Sequence, residues 1–488
     1  MNSLAPLLAF ALAMPVLATP PPAFDHHFVD ATLRIDTTHT GNASEEVVAL
    51  DHVYRQGTWA GSRTHLIDPF PTGGYLATVV DPATGALLFS KGYDTYFGEY
   101  RTTAPAAKGE RRTYHESVLI PCPKTAVRFA IEARGRDGAL KEIFSVDIDP
   151  SALTVIRRSL ESGVKIVEAA KSGDPHAKVD LAILGEGYTA KQEGKFRTDL
   201  ARFVKLFLAQ EPYASRKDSF NIYGVFKSSQ ESGCDEPSWG SFKNTALGAS
   251  FDALGSERYM LVEDNRRLRD LAAHVPYDAI LVMVNSPRYG GGGIYNLYST
   301  FTTDNYWSTY VFLHEFGHTF AGLADEYYTS SVAYTEFFPK GVEPSPPNVT
   351  ALLDPAKLKW KALLTPGVAI PTPWEKADFD AMDIAYQKVR EELNGRIAAA
   401  KRAGAPRADV EKLEEESDRL SREHASKVDA YLARSAFAGQ VGAFEGASYV
   451  SQGLYRPMVD CLMFTKGLKP FCKVCQQAVV RVIEYYGE

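Results

Sequence analysis

One segment, Val311-Phe-Leu-His-Glu-Phe-Gly-His-Thr-Phe-Ala-Gly-Leu-Ala-Asp-Glu-Tyr-Tyr328, restricts this chain more than any other. Histidines four apart, His314 and His318, lie on one face of an α-helix, a turn from each other. Two neutral imidazoles so placed can share a zinc ion at about 2.0–2.1 Å. Glu315 neighbours the first of them and is positioned to take a proton from a zinc-bound water. Zinc lowers the pKa of that water from about 15.7 to about 7, which makes a nucleophile available at neutral pH. Gly322 can stop the helix in a left-handed cap. The chain can then turn back and bring a carboxylate to the metal. A catalytic zinc takes three protein ligands and keeps one position open. His424 is the one histidine after His318, so a third histidine at short spacing is absent. Asp325 is the expected third ligand, Glu326 its main competitor, and a distant glutamate on a second helix a further alternative. Far downstream, Gly453-Leu-Tyr-Arg-Pro457 precedes Cys461-Leu-Met463. Met463 is expected in a methionine-bearing turn beneath the metal.

The remaining chain sets the context for that helix. Its 488 residues allow two domains, and 45% hydrophobic with 23% charged residues is ordinary globular composition with a sizeable core. A net charge of −7 argues against nucleic acid or an anionic membrane surface as the main partner. The apolar run over residues 4–17 is too short to span a bilayer, and Val16-Leu17-Ala18 offers a cleavage site. Residues 1–18 therefore read as a secretory signal peptide, although they carry no Lys or Arg, and the mature protein is expected to be secreted or periplasmic without a membrane span. Five cysteines follow, Cys122, Cys234, Cys461, Cys472 and Cys475. Cys472 and Cys475 form a lone CxxC. A structural zinc there needs two more ligands, which the sequence does not offer at suitable spacing, so a disulfide or buried thiols is expected.

The fold class expected is mixed α+β or α/β. Residues 24–155 read as an N-terminal β-sandwich: Val127, Phe129 and Ile131 alternate with polar residues, and Asp81-Pro-Ala-Thr-Gly85 joins a strand ending near Val80 to one starting near Leu87. No cluster of chemical residues is expected in it. Residues 165–488 read as the catalytic domain, with strands at Val179-Asp-Leu-Ala-Ile-Leu184, Phe220–Phe226 and Asp278-Ala-Ile-Leu-Val-Met-Val284 and a helix over 191–208. Within it, residues 375–435 read as a charged helical hairpin, with Val389, Leu393 and Ile397 on one stripe and Val410, Leu413, Leu420 and Val428 on the other. That hairpin is expected to be a solvated insertion without a part in catalysis.

Several blocks carry a more specific likeness: Leu184-Gly-Glu-Gly-Tyr-Thr189, Tyr289-Gly-Gly-Gly-Gly-Ile-Tyr-Asn296, His314 through Tyr327, Pro371-Thr-Pro373, and Gly453-Leu-Tyr-Arg-Pro457 with Cys461, Met463, Phe471-Cys472 and Cys475. On these the chain resembles the M64, or IgA peptidase, family of metzincin-like zinc peptidases over residues 175–488. The resemblance implies one catalytic zinc ion, peptide-bond hydrolysis of a protein or peptide substrate, and export. It carries over His314 and His318 as ligands, Asp325 as the third and Glu315 as the base. The broader metzincin pattern places Gly seven and the third ligand ten residues after the first His. Those positions are Ala321 and Ala324 here, with Gly322 and Asp325 one residue later. The glycines of Tyr289–Asn296 suit either an edge strand that pairs with an extended substrate or a loop on the rim of the site. Tyr327, Tyr328 and Tyr455 are candidates to stabilise the oxyanion. Two other readings compete: a zinc hydrolase with a distant glutamate ligand, and an exported adhesin or binding module with a vestigial metal site.

Overall fold

The computed structural model describes residues 22–329 and 338–487, so the expected signal peptide, residues 1–18, lies outside the described residues. Two four-stranded sheets form the N-terminal part. One has the spatial order Arg112–Pro123, Phe28–Gly41, Glu46–Arg55, Val155–Ile156; the other Leu87–Tyr93, Tyr75–Val80, Val127–Arg134, Leu140–Ile148. The alternation at Val127, Phe129 and Ile131 becomes a strand with those three side chains buried. Gly85, at φ +72°, closes the turn between Tyr75–Val80 and Leu87–Tyr93. Leu33, Ile35 and Ile120 of one sheet and Ala77, Val79 and Phe129 of the other belong to a single core.

A six-stranded sheet follows, in the order Gly291–Ile294, Tyr298–Thr302, Ala279–Val284, Val179–Glu186, Phe220–Phe226, Lys165–Ala170. Its four inner strands run parallel and are buried at every residue. Continuous apolar runs are what a sheet covered on both faces needs. Leu181 and Ile183 face the helices Glu193–Phe207 and Ser308–Ala321, while Ala182 and Leu184 face the helix Asn265–Ala272. The helix expected over 191–208 begins with a 3₁₀ turn at Ala190–Gln192 and is α-helical from Glu193.

The charged segment forms two helices, Lys376–Arg402 and Arg407–Leu432. Most of its surface is solvated, but it does not stand apart from the body as the sequence reading expected. At its base Phe379, Val428 and Leu432 join the main core. Near its tip Leu393, Ile397 and Val410 pack against Trp239, and Lys401 lies 5.0 Å from that indole ring. Val389, expected on the same stripe, is 48% exposed, since the helix's buried face is set by both contacts rather than by its partner helix alone.

The N-terminal part also holds a cluster that the sequence did not disclose. The guanidinium of Arg34, fully buried, bonds Asp36 at 2.9 Å and Asp270 of the C-terminal part at 2.8 Å. Asp51 pairs with Arg266, and Asn265 donates to Ser117 at 2.9 Å. Asp36, Asp51 and His115 thus converge, but their charges are answered by arginines from both parts. They act as a clamp between them.

Candidate metal and catalytic site

The helix Ser308–Ala321 presents Phe312, Leu313, Phe316 and Phe320 to the core and leaves His314, Glu315 and His318 towards a cleft. It ends as its sequence requires. Gly322 adopts φ +58°, its N–H donates to the His318 carbonyl at 3.0 Å, and Leu323 N–H reaches the Gly317 carbonyl at 3.3 Å. The chain reverses there and delivers Asp325 to the two imidazoles.

Three atoms converge. His314 Nε2 and His318 Nε2 are 3.1 Å apart, and Asp325 Oδ1 lies 3.0 Å from the first and 3.3 Å from the second. Both tautomers follow from the partners, because a carbonyl can only accept. His314 Nδ1–H donates to the Leu462 carbonyl at 3.2 Å, and His318 Nδ1–H to the Leu323 carbonyl at 2.6 Å. With the rings neutral, each Nε2 therefore turns its lone pair into the triangle. Asp325 Oδ1, buried, receives no properly directed hydrogen bond. Three lone-pair atoms that close together call for a positive charge between them. The field agrees: burial works against charging His318, yet Asp325 outweighs it and lifts the imidazole to about 9. Burial likewise opposes ionisation of Asp325, but His318 and His314 hold its carboxyl well below the usual range. The triangle also fits an ion in size. Ligand bonds of 2.0–2.1 Å in a tetrahedron give edges of about 3.3–3.4 Å.

The residues that support the triangle were partly legible in the sequence. Met463 lies beneath the helix: a Cβ on Gly317 would sit 3.1 Å from its sulfur, and the adjoining Leu462 supplies the carbonyl under His314. Tyr449 was missed. Its hydroxyl donates to Asp325 Oδ2, and Ser448 N–H binds the Asp325 carbonyl at 3.1 Å. These two residues form the turn between strands Phe444–Ala447 and Val450–Arg456, at φ +46° and +67°. Left-handed backbone at non-glycine residues costs about 1–2 kcal/mol each. The strain sits where a side chain from a distant hairpin is aimed at Asp325. No glycine or asparagine marks this turn in the sequence.

Glu315 lies beside the triangle. Burial raises its pKa, and Asp325 adds to that, while the imidazoles pull it down. Along the helix runs the edge strand Gly291–Ile294, antiparallel to Tyr298–Thr302. A Cβ on Gly293 would fall 2.4 Å from the Glu315 carbonyl oxygen, and one on Gly291 would fall 2.4 Å from Val311 Cγ1. Close packing of strand on helix thus explains Gly291 and Gly293, while Gly290 and Gly292 pack against Phe251 and Tyr259. One carbonyl of this edge, that of Gly291, already accepts from Met260 N–H at 3.3 Å.

The cleft measures about 2050 Å³, well beyond the roughly 300–1,000 Å³ of a small-molecule site. Gly73, Gly74 and Arg134 of the N-terminal part form one wall, and Asp383, Tyr386 and Arg390 of the helical hairpin another. Among the tyrosines considered, Tyr327 lines it. Tyr328 instead donates to Asp380 at 2.6 Å, and Tyr455 sits on a strand paired with Thr350, so neither faces the triangle. Arg258, Arg390 and Lys466 also line the cleft. Burial lowers the pKa of Arg390 and Lys466, and mutual repulsion among the three cations adds to it. His424 is spent inside the hairpin, 2.5 Å from Asp383 and stacked on Tyr386.

Glu326 does not compete with Asp325. The backbone turn sends it away from the triangle, where Asn348 donates to its Oε1 at 3.0 Å. There it meets Cys461, Cys472 and Cys475, all buried, with the four ligand atoms within 4.8 Å of one another. The two further partners that the CxxC lacked in sequence therefore exist, and all five cysteines are free thiols rather than a disulfide.

The sequence profile of the family described as IgA Peptidase M64 matches residues 167–483, and that of the Peptidase M64 N-terminus matches residues 23–145. Among curated proteins, none matches the chain significantly.

Proposed function

Because the chain belongs to the IgA Peptidase M64 family, we propose that it is a zinc peptidase in which His314, His318 and Asp325 hold the ion and Glu315 is the general base. The convergence of two imidazole Nε2 atoms and a buried carboxylate oxygen within 3.3 Å of one another carries this reading. When bound, zinc supplies Lewis acidity towards a carbonyl and lowers the pKa of water at the site. The protein's own groups do the rest. The Leu462 and Leu323 carbonyls fix both imidazole tautomers, and the Tyr449 hydroxyl holds Asp325. Glu315 takes a proton from the attacking water and returns it to the leaving amine. Its raised pKa suits a group that must both accept and release that proton. The cleft's volume of about 2050 Å³ leaves room for a polypeptide, and of the expected donors for the developing oxyanion the Tyr327 phenol is the one that lines it.

Arg258 and Arg390 give the cleft a cationic wall that favours substrates with a carboxylate near the scissile bond. The apolar leader makes the periplasm or the cell exterior the proposed place of action. Glu315→Gln tests the assignment directly. The variant is expected to bind zinc as tightly as the parent and to lose turnover by at least about a hundredfold, within the usual range for a general base. Parental turnover by the zinc-loaded variant refutes the role given to Glu315.

A further inference from the structure

A second group of ligating side chains lies outside the catalytic triangle, and no step above uses it. We propose that Cys461, Cys472, Cys475 and Glu326 hold a structural zinc ion. The geometry is that of a closed four-ligand site. Cys461 Sγ and Cys475 Sγ are 3.8 Å apart, and a tetrahedron with zinc–sulfur bonds of about 2.3 Å has edges of about 3.8 Å. Glu326 Oε1 lies 3.2 Å from Cys475 Sγ and 4.0 Å from Cys472 Sγ, either side of the roughly 3.6 Å expected between oxygen and sulfur ligands. Glu326 is fully buried, and its other oxygen, Oε2, has no partner. An unpartnered carboxylate oxygen in the interior costs stability unless a cation meets it.

Two of the three sulfurs already receive backbone N–H donors, as a metal-bound thiolate does. Cys461 Sγ accepts from the backbone N–H of Cys472 at 3.2 Å and of Met463 at 3.4 Å. Cys472 is the N-cap of the helix Lys473–Tyr486, and its sulfur accepts from Cys475 N–H at 3.4 Å. A helix N-terminus and N–H donors stabilise sulfur's negative charge. Asn348 fixes the carboxylate as an outer partner of the ligand, donating to Oε1 and to the Ala324 carbonyl. The fully buried guanidinium of Arg456 lies within electrostatic reach of Glu326 and offsets part of the net negative charge of three thiolates and a carboxylate around a divalent ion. Soft thiolates in a tetrahedral set select zinc over hard, oxygen-seeking ions.

Its effect would be to fasten three distant segments directly behind the catalytic triangle. Glu326 follows Asp325 in the chain, and its N–H binds the Met463 carbonyl at 2.9 Å. Cys461 begins the turn that carries Leu462 and Met463. The other two ligands start the C-terminal helix. Uptake of the ion releases the thiol protons to solvent.

The test is metal content and ligand type in the full chain, purified without chelator. In His314→Ala/His318→Ala, which removes the triangle alone, one zinc per chain is expected to remain. Its X-ray absorption spectrum should show a first shell dominated by sulfur at about 2.3 Å. In the parent protein, the average first shell should contain sulfur together with nitrogen and oxygen, a measurement that stands even if the double variant does not fold. Parent protein whose bound metal has no sulfur in its first shell overturns the proposal. So does a disulfide among Cys461, Cys472 and Cys475, detected by mass spectrometry after alkylation without reductant.

Discussion

Tyr449→Phe removes one hydroxyl from the site and leaves the ring, the strained turn and all three proposed ligands in place. That hydroxyl donates to Asp325 Oδ2, on a carboxylate that is only 9% exposed. A hydrogen bond to a buried charge contributes about 1.5–3 kcal/mol. Outer partners of a metal ligand typically control about 10–100-fold in affinity, which is about 1.4–2.7 kcal/mol. The two figures agree because the lost donor loosens Asp325 rather than deleting it. The expected result is zinc affinity weakened by one to two orders of magnitude, measured by equilibrium competition against a chelator of known affinity. Turnover should recover when zinc is supplied in excess, since the ligand set is intact. Tyr328→Phe serves as the control, because its hydroxyl is bound to Asp380 away from the triangle and its loss should leave zinc affinity unchanged. A Tyr449→Phe protein that holds zinc within twofold of the parent refutes the argument that this hydrogen bond fixes Asp325 as a ligand.

Arg390→Ala is expected to raise KM about tenfold for peptides with an acidic residue beside the scissile bond and to leave neutral peptides nearly unchanged, a split read from steady-state kinetics on matched peptide pairs. Gly293→Ala forces a Cβ to within 2.4 Å of the Glu315 carbonyl oxygen, and should cost about 1–3 kcal/mol in urea unfolding as strand and helix separate. Burial, with the Asp278 charge added for Asp180, raises two neighbouring carboxyls, Asp180 to about 8 and Asp278 to about 7. The folded state then holds more protons than the unfolded chain, so this pair makes stability fall as pH rises from about 4 towards 8. Asp278→Asn should flatten that decline by on the order of 1 kcal/mol or more between pH 5 and pH 8, seen as a smaller pH dependence of the urea midpoint.

The triangle was readable because it is local. His314, His318, Gly322 and Asp325 lie within one helix and its cap, and the 3.6-residue repeat with one left-handed residue leaves few other arrangements. The strands at Val127–Arg134, Val179–Glu186 and Ala279–Val284 were readable for the same reason, since period and apolar run length are properties of the segment itself. Tyr449 reaches Asp325 across 124 positions of sequence, and Glu326 meets Cys472 across 146. Neither pair has a spacing that a motif can record. The hairpin's charges suggested a solvated face, yet a contact with Trp239 at its tip and a core at its base turn Arg390 and Tyr386 into a wall of the cleft. Backbone periodicity acts over a few residues and is written into the sequence. Which distant side chains share a cavity depends on how whole elements pack, and only the tertiary structure decides that.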